Sequence, residues 1–353
     1  MAMLVQNNEY IFAIQAYILD ALGSSPPVAA LLSPVHPFDS YHFLPKPTMS
    51  KQPTERLLDA RGYSFTSQGP AKVDNIDSIL ENPNLLWIED KEIDEDRIKD
   101  AQQRIAKQGA NIALFWRNKY INEAGKYWHT FYKRNLDHFY KNRHYLHIVF
   151  PELAPENCQS STSLLEVGCG VGNAVIPLLD INPNLTVHAI DFASSAIEIL
   201  RKNQYVIDNR LYPSVCDVVN HEIPVEDNSM SYILCMFVLS AIAPLSQPVV
   251  IQKLMKKLKP GGKLFIRDYG RYDEAQLRFN KGSKIDDNFY VRCDGTCAYY
   301  FEINELKLLI ESQGLQSEEC SYILRQYANR SQKISRRRVW IHGKFVYTGS
   351  QQD

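Results

Sequence analysis

Three glycines at alternate positions constrain this chain more than any other feature. Residues 164–173 read Leu-Leu-Glu-Val-Gly-Cys-Gly-Val-Gly-Asn. An apolar run ends at Val167, the glycines Gly168, Gly170 and Gly172 follow, and an apolar stretch from Ala174 to Leu179 resumes at once. Lacking a Cβ, such glycines let the backbone pass close beneath a ligand. A second apolar run, Val187 to Ile190, ends in Asp191, at the spacing of about 20 residues expected of a carboxylate that binds a ribose. Strand, glycine turn, helix, strand and acid in that order predict a nucleoside-cofactor site on a doubly wound α/β sheet.

The glycine spacing separates the cofactors that such a sheet can hold. Dinucleotide sites read G-x-G-x-x-G and place a pyrophosphate on the helix N-terminus. Here Asn173 stands where the third glycine would be, and Glu166 at the end of the first strand would repel a pyrophosphate but suit a cationic amino-acid ligand. Both speak against a nicotinamide-dependent reductase. The pattern E-x-G-x-G-x-G resembles the S-adenosylmethionine loop of class I methyltransferases. The predicted fold is accordingly α/β and Rossmann-like, with strands near 163–167, 186–190, 213–217, 231–237 and 263–268. Two later apolar runs, Cys320–Tyr327 and Arg338–Tyr347, have no helix between them and predict an antiparallel hairpin that completes the parallel sheet.

Ligands on such a sheet lie at the carboxyl ends of the strands. Gly168 starts the loop after the first strand, and Asp191 ends the second, where it is expected to take both ribose hydroxyls. Asp217 is placed at the end of the third, to accept from an adenine amino group beside the Val218 N–H. Capping a helix is the other role open to Asp217, since Asp is favoured there. Met236 ends the fourth and offers the adenine a flat apolar contact.

Composition bounds the rest. The 353 residues are 45% hydrophobic and 22% charged, as in an ordinary soluble globular chain. The net charge of −1 leaves any nucleic-acid contact to local patches. Seven cysteines, odd in number and without paired C-x-x-C spacing, predict reduced thiols and a cytoplasmic protein, compatible with a nuclear fraction. No metal site is expected, because Cys293-x-x-x-Cys297 has no matching pair. Residues 11–22 are apolar but too few to span a bilayer, and the first basic residue is Lys46, so neither a membrane segment nor a targeting leader is predicted.

Longer strings narrow the family. Tyr127-Trp-His-Thr-Phe-Tyr-Lys-Arg-Asn and Phe139-Tyr-Lys-Asn-Arg-His-Tyr-Leu precede the glycine loop. Phe265-Ile-Arg-Asp-Tyr-Gly-Arg-Tyr-Asp, Asn288-Phe-Tyr-Val-Arg-Cys-Asp-Gly-Thr and Arg338-Val-Trp-Ile follow it. Together these resemble the tRNA 3-methylcytidine methyltransferases over about residues 112–347. The resemblance implies methylation of N3 of the cytidine at position thirty-two of a tRNA anticodon loop. It also implies that Trp128 and Tyr132 join Glu166, Gly168, Gly170, Gly172, Asp191, Asp217, Val218 and Met236 around S-adenosylmethionine. Arg338-Val-Trp-Ile and Gly270-Arg-Tyr-Asp lean towards the branch acting on threonine and arginine tRNAs. A branch acting on serine tRNA with seryl-tRNA synthetase stays open, as does an accessory protein. Two positions depart from the family: Asn142, where an acid is usual, and Tyr145, where a tryptophan is usual.

Three segments are then expected. Residues 1–93 form a poorly constrained arm with proline clusters, 94–150 a helical aromatic and basic segment covering cofactor and RNA, and 151–348 the methyltransferase domain. Because neutral cytosine carries a lone pair on N3, the reaction needs alignment rather than a base. N3 lies on the pairing edge, so the base must be unpaired or extruded. Asp268 is the candidate for countering charge on the methylated ring, an ion pair with Arg267 or Arg271 being the other reading. Tyr269 or Phe289 is expected to stack on the base. Arg143, Arg267, Arg271, Arg292, Arg336, Arg337 and Arg338 are the candidate RNA contacts. Cys235-Met-Phe-Val stands where enzymes acting on exocyclic amines carry an Asp/Asn-Pro-Pro turn, which favours a ring nitrogen.

Overall fold

The computed structural model describes residues 57–58, 64–65, 93–135, 140, 142–158, 161–329 and 334–349. The chain divides into two units, Met1–Gln52 and Pro53–Asp353. The first lies outside the described residues, as does the expected arm 1–93 apart from a short antiparallel pair, Leu57–Leu58 with Ser64–Phe65.

Among the described residues the helical segment is broken into separate pieces rather than continuous. Asp94 caps α1 (Glu95–Ala106), accepting from the Arg97 N–H at 2.7 Å, as a side-chain oxygen does at an N-cap. The chain turns at Gly109, whose φ of +84° is open to glycine. It then runs through α2 (Leu114–Asn122) and α3 (Ala124–Asn135).

Five parallel strands follow: β1 (Thr162–Val167), β2 (Leu185–Asp191), β3 (Leu211–Val215), β4 (Met230–Met236) and β5 (Leu258–Tyr269). A small antiparallel sheet of β6 (Lys284–Asp286), β7 (Phe289–Val291) and β8 (Cys297–Tyr299) comes next. The long hairpin β9 (Leu315–Asn329) and β10 (Ile334–Tyr347) closes the fold. The main sheet has the order β9-β10-β5-β4-β1-β2-β3, with β10 antiparallel to β5. The parallel sheet completed by an antiparallel hairpin is therefore present, with strands longer than the apolar runs alone marked. Lys259-Pro-Gly-Gly appears as a register shift at the start of β5, between the pairs Met230↔Leu258 and Tyr232↔Lys263.

Both faces of the sheet are buried, and the period of two along each strand assigns side chains to them. Leu165, Val167, Ile233, Cys235, Leu264 and Ile266 join one apolar cluster, with Val250, Ile251 and Leu254 of α6 (Gln247–Lys257; α4 is Val175–Ile181 and α5 Ser194–Leu200). Leu164, Leu234, Met236 and Phe265 join the other, with Leu178 and Leu179 of α4 and Ile197 and Leu200 of α5. Each such side chain contributes roughly 1.5–3 kcal/mol by leaving water. The order reverses between β1 and β4, so a crevice opens there at the carboxyl ends. Among the described residues no helix is long and apolar enough to cross a membrane.

The small sheet was not legible as strands, because its members are three residues each. Its alternation is nevertheless strict. Phe289, Val291, Cys297 and Tyr299 pack inward on the main core, while Tyr290, Ala298 and Tyr300 form an outer cluster packed against Tyr269 and Phe279.

Candidate active site

The crevice is a cavity of about 370 Å³, lined by the ends of β1, β2 and β4, the loops after β3 and β4, and α2 and α3. Its floor is the glycine loop. Gly168, Gly170 and Gly172 all have positive φ, and a Cβ on Gly170 would lie 3.1 Å from Tyr132 Cζ and nearer still to its hydroxyl. All three glycines are thus favoured by conformation, and Gly170 is required as well by the Tyr132 side chain of α3 that passes over it. Tyr132 and Trp128 of α3 line the cavity, as expected, with Ile121, Ala124 and Gly125 beside them.

Asp191 is nearly inaccessible, and both of its oxygens hold backbone: Oδ2 accepts from the Gly170 N–H at 2.9 Å and Oδ1 from the Ala193 N–H at 2.8 Å. It braces the glycine loop while facing the cavity, and each oxygen keeps a second lone pair for a ligand hydroxyl. Burial raises its pKa to about 6, against the lowering effect of those two amides. Glu166 is buried more unfavourably. Its Oε2 has no hydrogen-bond partner, and burial raises its pKa to about 8, with Asp191 adding to the rise and Arg143 opposing it. A cation would relieve that carboxylate.

Asp217 and Val218 line the cavity, but not from a strand end. β3 stops at Val215, and the Asp217 carboxylate accepts from the N–H groups of Val219 (2.9 Å) and Asn220 (3.3 Å) and from Asn220 Nδ2 (2.8 Å). Such local bonds compete with the ladder and end the strand early. The capping role weighed for Asp217 is thus partly realised, on a turn instead of a helix. Lys253 of α6 holds the same turn by donating to the carbonyls of Val218, Val219 and His221. Sequence gave no sign of that clamp, since the partners lie more than thirty residues away.

Met236 ends β4 as expected and is 5% exposed. The next residue, Phe237, was missed. Its φ of +61° is a strained conformation for a bulky side chain, of the kind that surroundings must enforce at a cost of about 1–3 kcal/mol. Its ring lies on the cavity wall, 5.0 Å from Tyr269, 5.6 Å from Trp340 and under the Arg143 guanidinium at 5.0 Å. A non-glycine residue forced to positive φ carries no signature in a single sequence.

Arg143 faces the cavity because its segment is docked on the glycine loop. Its N–H donates to the Asn173 carbonyl at 2.8 Å, and Asn173 Nδ2 donates to Asn142 Oδ1 at 2.9 Å and to the Tyr140 carbonyl at 3.3 Å. Asn173 thus has a use that a third glycine could not serve. Asn142, one of the two departures, still supplies the acceptor that an acid would.

Several expected roles are corrected. Asp268 does not line the cavity: it is fully buried, and its oxygens accept from the N–H groups of Ser240 (3.0 Å) and Tyr269 (2.9 Å). It holds the loop after β4 in place, and neither Arg267 nor Arg271 is its partner in those bonds. Tyr269 likewise is outside the cavity wall, one ring removed behind Phe237. Phe289 does reach the cavity but is 1% exposed and belongs to the core.

The arginines also divide. Arg267 is 0% exposed and packs over the Tyr145 ring at 5.3 Å, so it cannot meet a phosphate. Arg271 is ion-paired with Glu302 and lies over Tyr272. Arg292 donates to Thr296 Oγ1 and the Cys297 carbonyl, both at 3.2 Å, holding its own hairpin turn. Arg338 donates from Nε to both oxygens of the fully buried Asp273, at 3.1 and 2.8 Å. Only Arg337 of the last three is exposed and described; the Arg336 side chain lies outside the described residues. Among the described residues no group of three or more His, Cys, Asp or Glu is placed to hold a metal ion.

This geometry agrees with what the chain is similar to. A family model described as a methyltransferase domain matches residues 132–319. The tRNA N(3)-methylcytidine methyltransferase Mettl2 of Drosophila melanogaster is 40% identical over 271 residues, covering 74% of this chain and 82% of that protein. The chain belongs to the tRNA N(3)-cytidine methyltransferase family. The tRNA N(3)-cytidine methyltransferase METTL2 of Xenopus tropicalis is 35% identical over 302 residues, covering 74% of this chain and 88% of its own. The human tRNA N(3)-cytidine methyltransferase METTL6 is 35% identical over 253 residues, covering 70% and 88%.

The cofactor of this methyltransferase domain is S-adenosylmethionine, and the residues present fit it. The unpartnered buried oxygen of Glu166 suits an ammonium, Asp191 suits ribose hydroxyls, and the glycine loop leaves room that a Cβ would fill. Asp217, Val218 and Met236 share the wall on which an adenine would lie.

Proposed function

We propose that this protein methylates N3 of a cytidine in tRNA, at position thirty-two of the anticodon loop, on threonine and arginine tRNAs. The observation that carries the reading is the strained Phe237 ring beside the Glu166–Asp191 cleft, with Arg143 above it. A flat aromatic platform suits an extruded base. Neither neighbouring residue, Met236 or Val238, offers the side-chain acceptor that would orient an exocyclic amine.

When bound, the cofactor supplies an electrophilic methyl group. The chain's own residues bind and orient. Glu166 and Asp191 fix the cofactor's charged and ribose ends, and Tyr132 and Trp128 cover it against water. Phe237 presents a π face to the base, and that face also favours the positive charge the base acquires. Arg143 is in reach of the base edge and donates only, which suits a carbonyl oxygen. With N3 already nucleophilic, alignment supplies most of the rate.

The choice of threonine and arginine tRNAs is supported by Arg338-Val-Trp-Ile and Gly270-Arg-Tyr-Asp, and the names of the Drosophila and Xenopus relatives support tRNA and N3 of cytidine. A cytoplasmic location is supported by cysteines that are all free thiols. Nucleoside mass spectrometry of tRNA incubated with the pure protein and S-adenosylmethionine is expected to give 3-methylcytidine, mapped to position thirty-two. Absence of that nucleoside from every tRNA tried would overturn the reading. Serine tRNA methylated only with added seryl-tRNA synthetase would replace the isoacceptor assignment, and activity appearing only with cell extract would reveal an accessory protein.

A further inference from the structure

We propose that Lys253 and Gln247 of α6 are positioning residues for the cofactor: from one helix they grip the two loops that receive the adenine, and so set its slot before it arrives. The inference rests on the reading that Asp217, Val218 and Met236 form the adenine wall.

Two loops line the cavity there. One, after β3, contributes Asp217, Val218 and Val219; the other, after β4, contributes Ala241, Ile242 and Ala243. Carbonyls in such loops have no sheet ladder to satisfy them and need other donors. Lys253 Nζ donates to the carbonyls of Val218 (3.3 Å), Val219 (2.9 Å) and His221 (2.9 Å). An ammonium has three N–H groups, and the first loop offers it three acceptors. Gln247 stands six residues earlier on the same helix, about 9 Å back along its axis. It is buried, and its Nε2 donates to the carbonyls of Leu239 (3.0 Å) and Ile242 (3.1 Å) in the second loop.

The helix that carries both grips is itself fixed. Val250, Ile251 and Leu254 are fully buried and share one apolar cluster with Val218, Leu239 and Ile242. Each loop is therefore joined to α6 twice, by hydrogen bonds and by packing. The turn after β3 is held from within as well, because the Asp217 carboxylate accepts from the Val219 and Asn220 N–H groups. A loop that must order on binding weakens the ligand, and one ordered beforehand does not. Lys253 and Gln247 pre-organise the slot without touching the cofactor themselves.

Lys253→Met keeps the aliphatic stem and removes the three donors. Calorimetric Kd for S-adenosylhomocysteine, kcat and KM for S-adenosylmethionine, and urea midpoints are measured for wild type, K253M, Gln247→Met, Asp217→Ala and the K253M/D217A double variant. Lys256→Met, at an exposed lysine of the same helix, is the control. K253M is expected to raise Kd and KM about tenfold while kcat at saturation stays within about twofold, the pattern of lost binding rather than lost chemistry. Q247M is expected to raise Kd about threefold, the smaller effect because Asp268 also holds that loop through the Ser240 N–H at 3.0 Å. K256M is expected to bind as wild type does. On top of D217A, K253M is expected to add less than about twofold, because the carboxylate that the turn presents is gone. Wild-type Kd in folded K253M would overturn the proposal, and so would an undiminished tenfold loss on top of D217A. Q247M tests the same grip should K253M fail to fold, and wild-type Kd there would overturn it equally. A D217A protein that binds S-adenosylhomocysteine as tightly as wild type would instead overturn the reading of the adenine wall.

Discussion

Replacing Gly170 by alanine tests the claim that α3 is laid directly on the glycine loop. Two costs can be worked from the structure. The residue sits at φ +53°, where a Cβ costs roughly 1–2 kcal/mol. The new methyl would also lie well inside van der Waals distance of the Tyr132 hydroxyl and 3.1 Å from its Cζ, an overpacking that costs about 1–3 kcal/mol more. Gly170→Ala should therefore lose about 2–5 kcal/mol, read as a lower midpoint in urea denaturation at unchanged slope. The two costs separate in a second variant. Tyr132→Phe removes the nearest atom, so that the next, Cζ, stands at 3.1 Å. In the Y132F background, Gly170→Ala should cost only the conformational 1–2 kcal/mol or so. Calorimetric binding of S-adenosylhomocysteine should follow: G170A is expected to bind weakly, and the double variant better. A G170A protein as stable as wild type, or one that Y132F fails to relieve, would refute the packing of α3 on this loop.

Other perturbations have equally definite outcomes. Burial holds the folded Glu166 carboxyl near pH 8 against an ordinary 4.5. Between those values the unfolded chain is ionised while the folded chain keeps its proton, so unliganded stability should fall as pH rises, by about 1.4 kcal/mol per unit. Urea titrations at pH 6.5 to 8 should show a flatter slope for Glu166→Gln; equal slopes would refute the assignment. Asp273→Ala leaves Arg338 without its buried counter-charge and should cost about 3–5 kcal/mol in urea, a figure under about 1 kcal/mol marking the pair as incidental. Asp268→Asn should cost about 1–3 kcal/mol, because one carboxylate oxygen becomes a donor facing a backbone N–H. Unchanged stability in that variant would refute the role of Asp268 in holding Ser240 and Tyr269.

What the chain revealed linearly is instructive residue by residue. β1, β2 and β4 stood out because both faces of a doubly wound sheet are buried, leaving continuous apolar runs such as 232–236. The glycines declared themselves through a conformation that no other residue adopts cheaply, and Glu166 and Asp191 by their distance from those glycines. Asp217 was placed correctly on the cavity but wrongly on a strand, because its side chain captures the amides of Val219 and Asn220 and ends the pairing early.

Sequence by itself determined the sheet, the glycine loop and the acids beside it, because these follow from local periodicity, backbone permission and short spacing. Tertiary structure alone decided what the charged residues do. Arg338 finds Asp273 from 65 residues away, and Asp268 finds Ser240 from 28. Arg267 is buried against a tyrosine on another segment. A guanidinium or carboxylate reads the same in a chain whether it will face solvent or a distant partner. Burial sets that difference, and burial is a property of the assembled fold.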